Sequence, residues 1–297
     1  MNLYQAYDIK DPANREVAEY IRQSNAVSYI DLVPVDNGIV TRSIIKDVEG
    51  TAETFRNGEV SLINTIEDEI IKKTSLCVGM IGFPDINRDS DASKRRKRES
   101  AFKQAAKDFA QSMFSDTPKL RNYSLSKLPY RYIDATNSGE TITSIWIAKV
   151  GYDGVYSFYD PETSPISESS ARDGHTYNEN GDNCGVGEVF QVSAQMGLVS
   201  VHEYALWRIQ IDEDTSTESL KKAIEEAISY ISDFADTSDR SQIAIFCNTG
   251  TGFRVFDVSQ NTNYENKMDV NPVAGFFAGV PIILDGNISY SETKVSV

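Results

Sequence analysis

The sequence predicts an α+β fold arranged around one long helix, on three observations. Residues 90–114 contain no Gly or Pro and repeat apolar side chains at helical spacing. Residues 51–66 place an Asn-Gly turn between two extended stretches. Residues 195–247 pass from strand to capped helix and back to strand.

Length and composition narrow the function. A chain of 297 residues with 40% hydrophobic content buries a real core, as one elaborate domain or two ordinary ones. Its formal charge of -15 disfavours a sequence-specific nucleic-acid binder, which presents a net basic face. Cys77, Cys184 and Cys247 are widely spaced without a Cys-x-x-Cys pair, and read as buried or indifferent thiols in a reducing compartment. His175 and His202 are the only histidines, so a zinc site or a Ser-His-Asp relay must draw on them, which disfavours hydrolases. No basic-plus-apolar leader opens the sequence, and its longest apolar stretch, 274–284, is too short to span a bilayer. The expectation is a protein that stays in a cytosol or leaves by lysis, with no cofactor and no membrane partner.

Residues 1–36 read as an arm. Val17, Tyr20 and Ile21 share one side of an amphipathic stretch at 14–23, and Pro34 marks the end. With too few apolar residues for its own core, the arm orders by lying on its own body or on a neighbouring copy. From residue 38 to 66 the pattern changes to strands, with a hairpin of 51–55, Arg56-Asn57-Gly58 and 59–66. Neither face of that hairpin is clearly polar, which leaves open a plain surface hairpin or an extended loop lying on a partner. The acidic triplet Glu67, Asp68 and Glu69 precedes an apolar run at 76–83.

In the long helix, Phe102, Ala105, Ala106, Phe109, Met113 and Phe114 line one face. Asp89, Ser90 or Asp91 supplies the cap, and Pro118 lies just past the end. At about 1.5 Å per residue the helix runs on the order of 37 Å, the length of a spine. Lys94, Arg95, Arg96, Lys97 and Arg98 are the one concentrated positive charge. A solvated face is the plain reading of such a run; the functional one is contact with acidic neighbours or with phosphates, and the acidity of the chain favours neighbours.

Beyond the helix, 128–133 and 141–150 read as strands, the second holding Trp146. Residues 160–188, rich in Ser, Asp, Asn, Gly and Pro, read as an inserted loop; its stretch at 178–183 resembles a calcium loop but lacks the closing Glu. Residues 195–212 resume as strand, and a capping box of Thr215, Ser216, Thr217 and Glu218 opens a helix with Leu220, Ile224, Ala227, Ile228, Ile231 and Phe234 as its buried stripe. The strand at 242–247 leads into Asn248-Thr249-Gly250-Thr251-Gly252, which lacks the third Gly and the Lys of a phosphate-binding turn. The apolar stretch 274–285 contains Pro281 and reads as one strand at a sheet edge or bend.

The order of these parts resembles the major capsid proteins of tailed double-stranded DNA bacteriophages, the Johnson fold. Specific words fall in the family's order: Phe55-Arg56-Asn57-Gly58, Leu128-Pro129-Tyr130-Arg131-Tyr132, Thr143-Ser144-Ile145-Trp146, Gly197-Leu198 with Arg208-Ile209, and Cys247-Asn248. The closing signature is similar too, in Phe277-Ala278-Gly279-Val280-Pro281-Ile282, Asp285 with Ile288, and Ser291-Glu292 before Val295. The sequence departs from the family where Ile283-Leu284 follows Pro-Ile in place of Arg, where Ser115-Asp116 replaces a Gly-Asp pair, and in a weaker helix at 249–260.

The resemblance implies an N-arm at 1–36, an E-loop at 37–75, a P-domain at 76–214 and an A-domain at 215–297 whose last strands return to the P-domain. It implies a non-enzymatic subunit that assembles in the host cytoplasm into pentamers and hexamers of an icosahedral virion shell. Portal and scaffold or cement proteins would be further partners, with packaged DNA enclosed but not read. Asn57 and Gly58 would lie on an adjacent subunit, near acidic residues met by Lys94, Arg95, Arg96, Lys97 and Arg98. Two other classes remain: a secreted or surface-displayed β-rich binding module, and a Cys/His enzyme using His175 and Cys184.

Overall fold

The computed structural model describes residues 24–36, 39–45, 66–72, 75–76, 79–84, 96, 107–118, 123–161, 166–168, 172–177, 182–234, 242–259 and 273–295. In chain order the first elements are helix α1 (Asn25–Tyr29) and strands β1 (Leu32–Pro34), β2 (Ile39–Ile45), β3 (Ile66–Lys72), β4 (Ser75–Leu76) and β5 (Gly79–Pro84). Helix α2 (107–112) precedes β6 (Arg131–Asp134), β7 (Thr143–Lys149), β8 (Val155–Tyr159), β9 (Ile166–Glu168), β10 (Arg172–Tyr177), β11 (Asn183–Ser200) and β12 (Leu206–Ile211). The last are α3 (Thr217–Phe234), β13 (Ile243–Cys247), α4 (Thr249–Ser259), β14 (Val273–Phe277) and β15 (Val280–Leu284). The fold is α+β.

A six-stranded mixed sheet, in the order β14-β15-β13-β7-β12-β6, forms the centre. Every residue of β7, β12 and β13 is buried. A sheet covered on both sides has no solvent face to pattern, which is why β13 reads as a continuous apolar run and the polar Ser144, Arg208 and Gln210 of β7 and β12 are buried with their neighbours. Ile145, Ile147, Ile209, Ile243 and Ile245 meet the stripe of α3 (Leu220, Ile224, Ala227, Ile228, Ile231) and Val255 and Val258 of α4. Trp146, Ala148, Ala244, Phe246 and Ile283 face the other way, onto α1 and the Phe109, Ala110, Met113 and Phe114 end of the α2 segment. A boundary at residue 214 therefore runs through this sheet, since β7 pairs with β12 on one side and β13 on the other.

Local chemistry explains several departures from the sequence expectation. Ser216, not Thr215, caps α3: its hydroxyl accepts from the Ser219 amide at 3.1 Å. The Thr215 hydroxyl is already engaged, donating toward Asp212 (2.8 Å) and the Ala135 carbonyl (2.9 Å). The stretch 274–285 is a hairpin rather than one strand. Ala278 (φ 49°) and Gly279 (φ 87°) form the turn, as a primed turn requires of both central residues. Pro281 sits in β15, inside the sheet rather than at its edge. Its missing N–H costs nothing against β13, because that pairing begins at Ile282. Gly252 lets α4 approach β15 closely, because a Cβ there would push the Leu284 side chain aside.

A second sheet is organised by β11, 18 residues long, which pairs with β4, β5, β8, β9 and β10. The region 160–188 is thus not simply an inserted loop, because β9, β10 and the start of β11 lie within it. Gly174, Gly185 and Gly187 among polar neighbours hide the alternation that marks a strand.

The arm expectation divides. Ala26, Val27, Ile30 and Leu32 are fully buried in this chain's own core, and β1 pairs in parallel with β8. The amphipathic stretch 14–23 lies outside the described residues. So does the Arg56-Asn57-Gly58 turn; β2 and β3 form a two-stranded ribbon in register from Ile39↔Lys72 to Ile45↔Ile66, and Val40 packs beneath Tyr156 and Phe158. Glu67, Asp68 and Glu69 are strand residues of that ribbon. Of the spine at 90–114, Arg96 and 107–112 are helical, and a turn follows at 113–114.

Candidate assembly site

Burying a guanidinium is costly unless every donor is used and its charge is met. Arg208, in the middle of β12, is 1% exposed. Its Nε donates to Ser144 Oγ at 2.9 Å, Nη1 and Nη2 fork onto Asp116 at 2.7 and 3.1 Å, and Nη2 also reaches Glu292 at 2.8 Å. Ser144 donates in turn to Glu292. The guanidinium lies over Trp146, 5.0 Å from the ring centroid. Burial works to lower the Arg208 pKa, but the hydrogen bonds and charges of Asp116 and Glu292 outweigh it and hold the group charged.

This junction ties the exit of the α2 segment, the sheet and the C-terminal segment to one atom group. Two smaller junctions repeat the plan. Asp285 accepts from the Ser24 hydroxyl (2.6 Å) and the Ala26 amide (2.9 Å), while Asn25 donates to the Leu284 carbonyl at 2.7 Å, which fixes α1 to the C-terminal turn. Asn248 caps α4 by accepting from the Thr251 amide (2.8 Å) and donates to Thr143 Oγ1 (2.8 Å) and the Ser289 carbonyl (3.2 Å). In the sequence Arg208, Asp116, Ser144, Trp146 and Glu292 stand in separate stretches with no local pattern that joins them. The available signal was an arginine inside the apolar run Leu206-Trp207-Arg208-Ile209, which demands buried carboxylates elsewhere.

At one end of the sheet, the loops 135–141 and 212–215 are locked by acids. Asp212 accepts from the amides of Asn137 (2.5 Å) and Gly139 (3.0 Å), and Glu213 from those of Glu140 (2.9 Å) and Thr141 (2.8 Å). Burial pushes the Asp212 pKa up, but the hydrogen bonds from Thr215, Asn137 and Gly139 together bring it below the ordinary carboxylate value.

Of the assembly residues expected from the sequence, Arg96 is helical and exposed. Asn57, Gly58, Lys94, Arg95, Lys97 and Arg98 lie outside the described residues. His175 is exposed on β10, its Nδ1 3.4 Å from Asn183 Nδ2. Cys247 is buried under α3 and α4, and burial raises its thiol to about 12. Among the described residues no cluster of three or more His, Cys, Asp or Glu is placed to hold a metal, and no helix is long and apolar enough to cross a membrane.

No protein-family model and no curated protein matches the chain. Among solved structures it is similar to bacteriophage Epsilon15, at 15% identity and TM-score 0.49, over 89% of this chain and 88% of that one. It is similar to the capsid of bacteriophage JBD30 decorated with minor capsid protein trimers, at 12% identity and TM-score 0.48, over 97% and 98% of the two chains. It also resembles an encapsulin complex from Synechococcus elongatus, at 12% identity and TM-score 0.37, over 63% and 86%.

Proposed function

We propose that this chain is a major capsid subunit of a tailed double-stranded DNA bacteriophage, a structural protein whose copies close into an icosahedral shell around packaged DNA. One observation carries the reading. Three of the family-like words, Thr143-Ser144-Ile145-Trp146, Arg208-Ile209 and Ser291-Glu292, meet at the buried junction around Arg208, where Asp116, from a pair that departs from the family, completes it. They serve to hold distant segments in one rigid unit, not to present a nucleophile or an acid-base pair to a cleft. A subunit that meets several neighbours needs such rigidity, because closed symmetry multiplies modest contacts only when each repeats the same geometry.

On this reading the subunit has no catalytic role. It forms pentamers and hexamers, assembles in the host cytoplasm and ends in the virion, with portal and scaffold or cement proteins as further partners. Asn57 and Gly58 lie on an adjacent copy, and Lys94 to Arg98 meet acidic residues there. The chain's net charge of -15 suits a shell that encloses DNA without gripping it.

Size exclusion and negative-stain imaging of the purified chain test this. Shells, hexamers or pentamers are expected, and a stable monomer at all salt and protein concentrations contradicts the reading. Neutralising Arg95, Arg96 and Arg98 together is expected to lower assembly yield and its sensitivity to salt while leaving the monomer folded; unchanged yield at low and high salt removes the basic contact.

A further inference from the structure

Two stretches of backbone pass directly between the two large sheets. Residues 149–155 lead from β7 of the six-stranded sheet to β8 of the second, and residues 200–206 lead back from β11 of the second to β12 of the first. These crossings lie against each other, because the Val201 amide donates to the Gly154 carbonyl at 3.0 Å. Each is a tight turn. In the first, the Gly151 amide donates to the Val155 carbonyl at 3.0 Å, and Gly154 is so close to the Lys149 carbonyl that a Cβ would stand 2.2 Å from its oxygen. In the second, the His202 carbonyl accepts from the Ser200 hydroxyl at 2.9 Å and from the Ala205 amide at 3.1 Å.

Each crossing buries one basic side chain, Lys149 in the first and His202 in the second. Lys149 Nζ donates to Asp153 Oδ2 at 2.6 Å, and that carboxylate is 67% exposed. Among the described residues, Lys149 and Asp153 are the charges that bear on His202; Glu203, next in sequence, is held by Arg131 at 2.6 Å. Burial first, and Lys149 second, lower the His202 pKa, while Asp153 works in the opposite direction. The imidazole is therefore uncharged near neutral pH. A proton on it sets a second buried cation beside the first, around a carboxylate that lies mostly in water and is screened there. The added charge falls where the two crossings touch.

We propose that His202 is a proton-operated latch between the two sheets: uncharged, it lets the crossings at 149–155 and 200–206 lie together, and charged beside Lys149, it parts them. The unfolded chain takes up this proton first, at about pH 6.5. The latch is therefore fully closed above that value and opens as pH falls through the lower, folded one. Its opening reaches beyond the turns. β8 and the end of β11 leave these crossings directly, and they carry β1 and the Tyr156, Phe158 and Val199 surface on which Val40 of the β2–β3 ribbon packs. The device belongs to the single chain and does not depend on the shell reading.

Amide hydrogen exchange in the full chain, corrected for its intrinsic dependence on pH, tests this at the Val201 amide. Protection there is expected to fall at least about tenfold between roughly pH 7.5 and pH 5. His202→Gln, which stays uncharged, is expected to remove that fall. Lys149→Met is expected to reduce the fall and to raise the titration of the His202 ring resonance, one of only two histidine signals in the chain. Constant protection in the unsubstituted chain overturns the latch, and so does an equal fall in His202→Gln. If His202→Gln melts early, Lys149→Met decides alone: an unmoved His202 titration with an undiminished fall overturns the proposal.

Discussion

On the α3–α4 side of the six-stranded sheet, β7, β12 and β13 present isoleucines to an apolar helix stripe. On the α1–α2 side the same strands present Trp146, Ala148 and Phe246, but also Ser144, Arg208 and Gln210, all essentially buried. The first side gains stability from area removed from water and demands only size and shape from its partners. The second demands particular partners: Asp116 and Glu292 for Arg208, and the Thr293 carbonyl and Val295 amide for Gln210. One side stabilises the sheet; the other decides which distant segments lie on it.

Replacing Arg208 by Ala breaks this contrast most severely. It leaves Glu292 buried without its cation and is expected to cost about 3–5 kcal/mol in chemical denaturation. Arg208→Met combined with Glu292→Leu is expected to recover much of that loss, because no buried charge is left unpaired and Asp116, half exposed, stays hydrated. On the apolar side, Ile224→Ala is expected to cost about 2–5 kcal/mol, with no rescue by any charge change. Asn248→Ala removes the α4 cap and is expected to cost about 1–2 kcal/mol. Asp116→Ala sharpens the comparison within the junction. Its side chain is 49% exposed against 8% for Glu292, so about 1 kcal/mol is expected, well below the loss for Glu292→Ala.

The smallest effect is on pH dependence. The Asp212 carboxyl has a depressed pKa in the folded protein, so its stabilisation is complete above the unfolded value of about 3.9 and is lost as pH falls through the folded value. Asp212→Asn is therefore expected to flatten the stability profile below about pH 4 in acid titration, while the unsubstituted chain loses stability there.

Much of the apolar side was legible in the sequence. The stripe from Leu220 to Ile231 follows helical spacing, β13 is an unbroken apolar run and β7 has an apolar centre at 145–148, so periodicity and length suffice. The polar side was legible only as isolated words. Arg208 and Glu292 are 84 residues apart, and no local rule links an arginine in a strand to a carboxylate near the C-terminus. The β9–β11 region was missed because its glycines and polar residues mimic a loop, and part of its pairing comes from β5, about a hundred residues earlier in sequence. Residues 24–34 of the arm take the first of the two placements open to it, on their own body. Ala26, Val27 and Ile30 are too few to form a core but enough to complete one that other segments provide.

Residues 24–34 and the C-terminal segment close the core of their own chain, and in the shell proposed for this protein other surfaces would meet its copies. A high-resolution image reconstruction of the assembled particle tests this most directly. The prediction is a closed shell in which the Asp285 carboxylate caps α1 of its own chain. A particle in which Asp285 caps α1 of a neighbouring copy, or a chain that yields no particle, would contradict it.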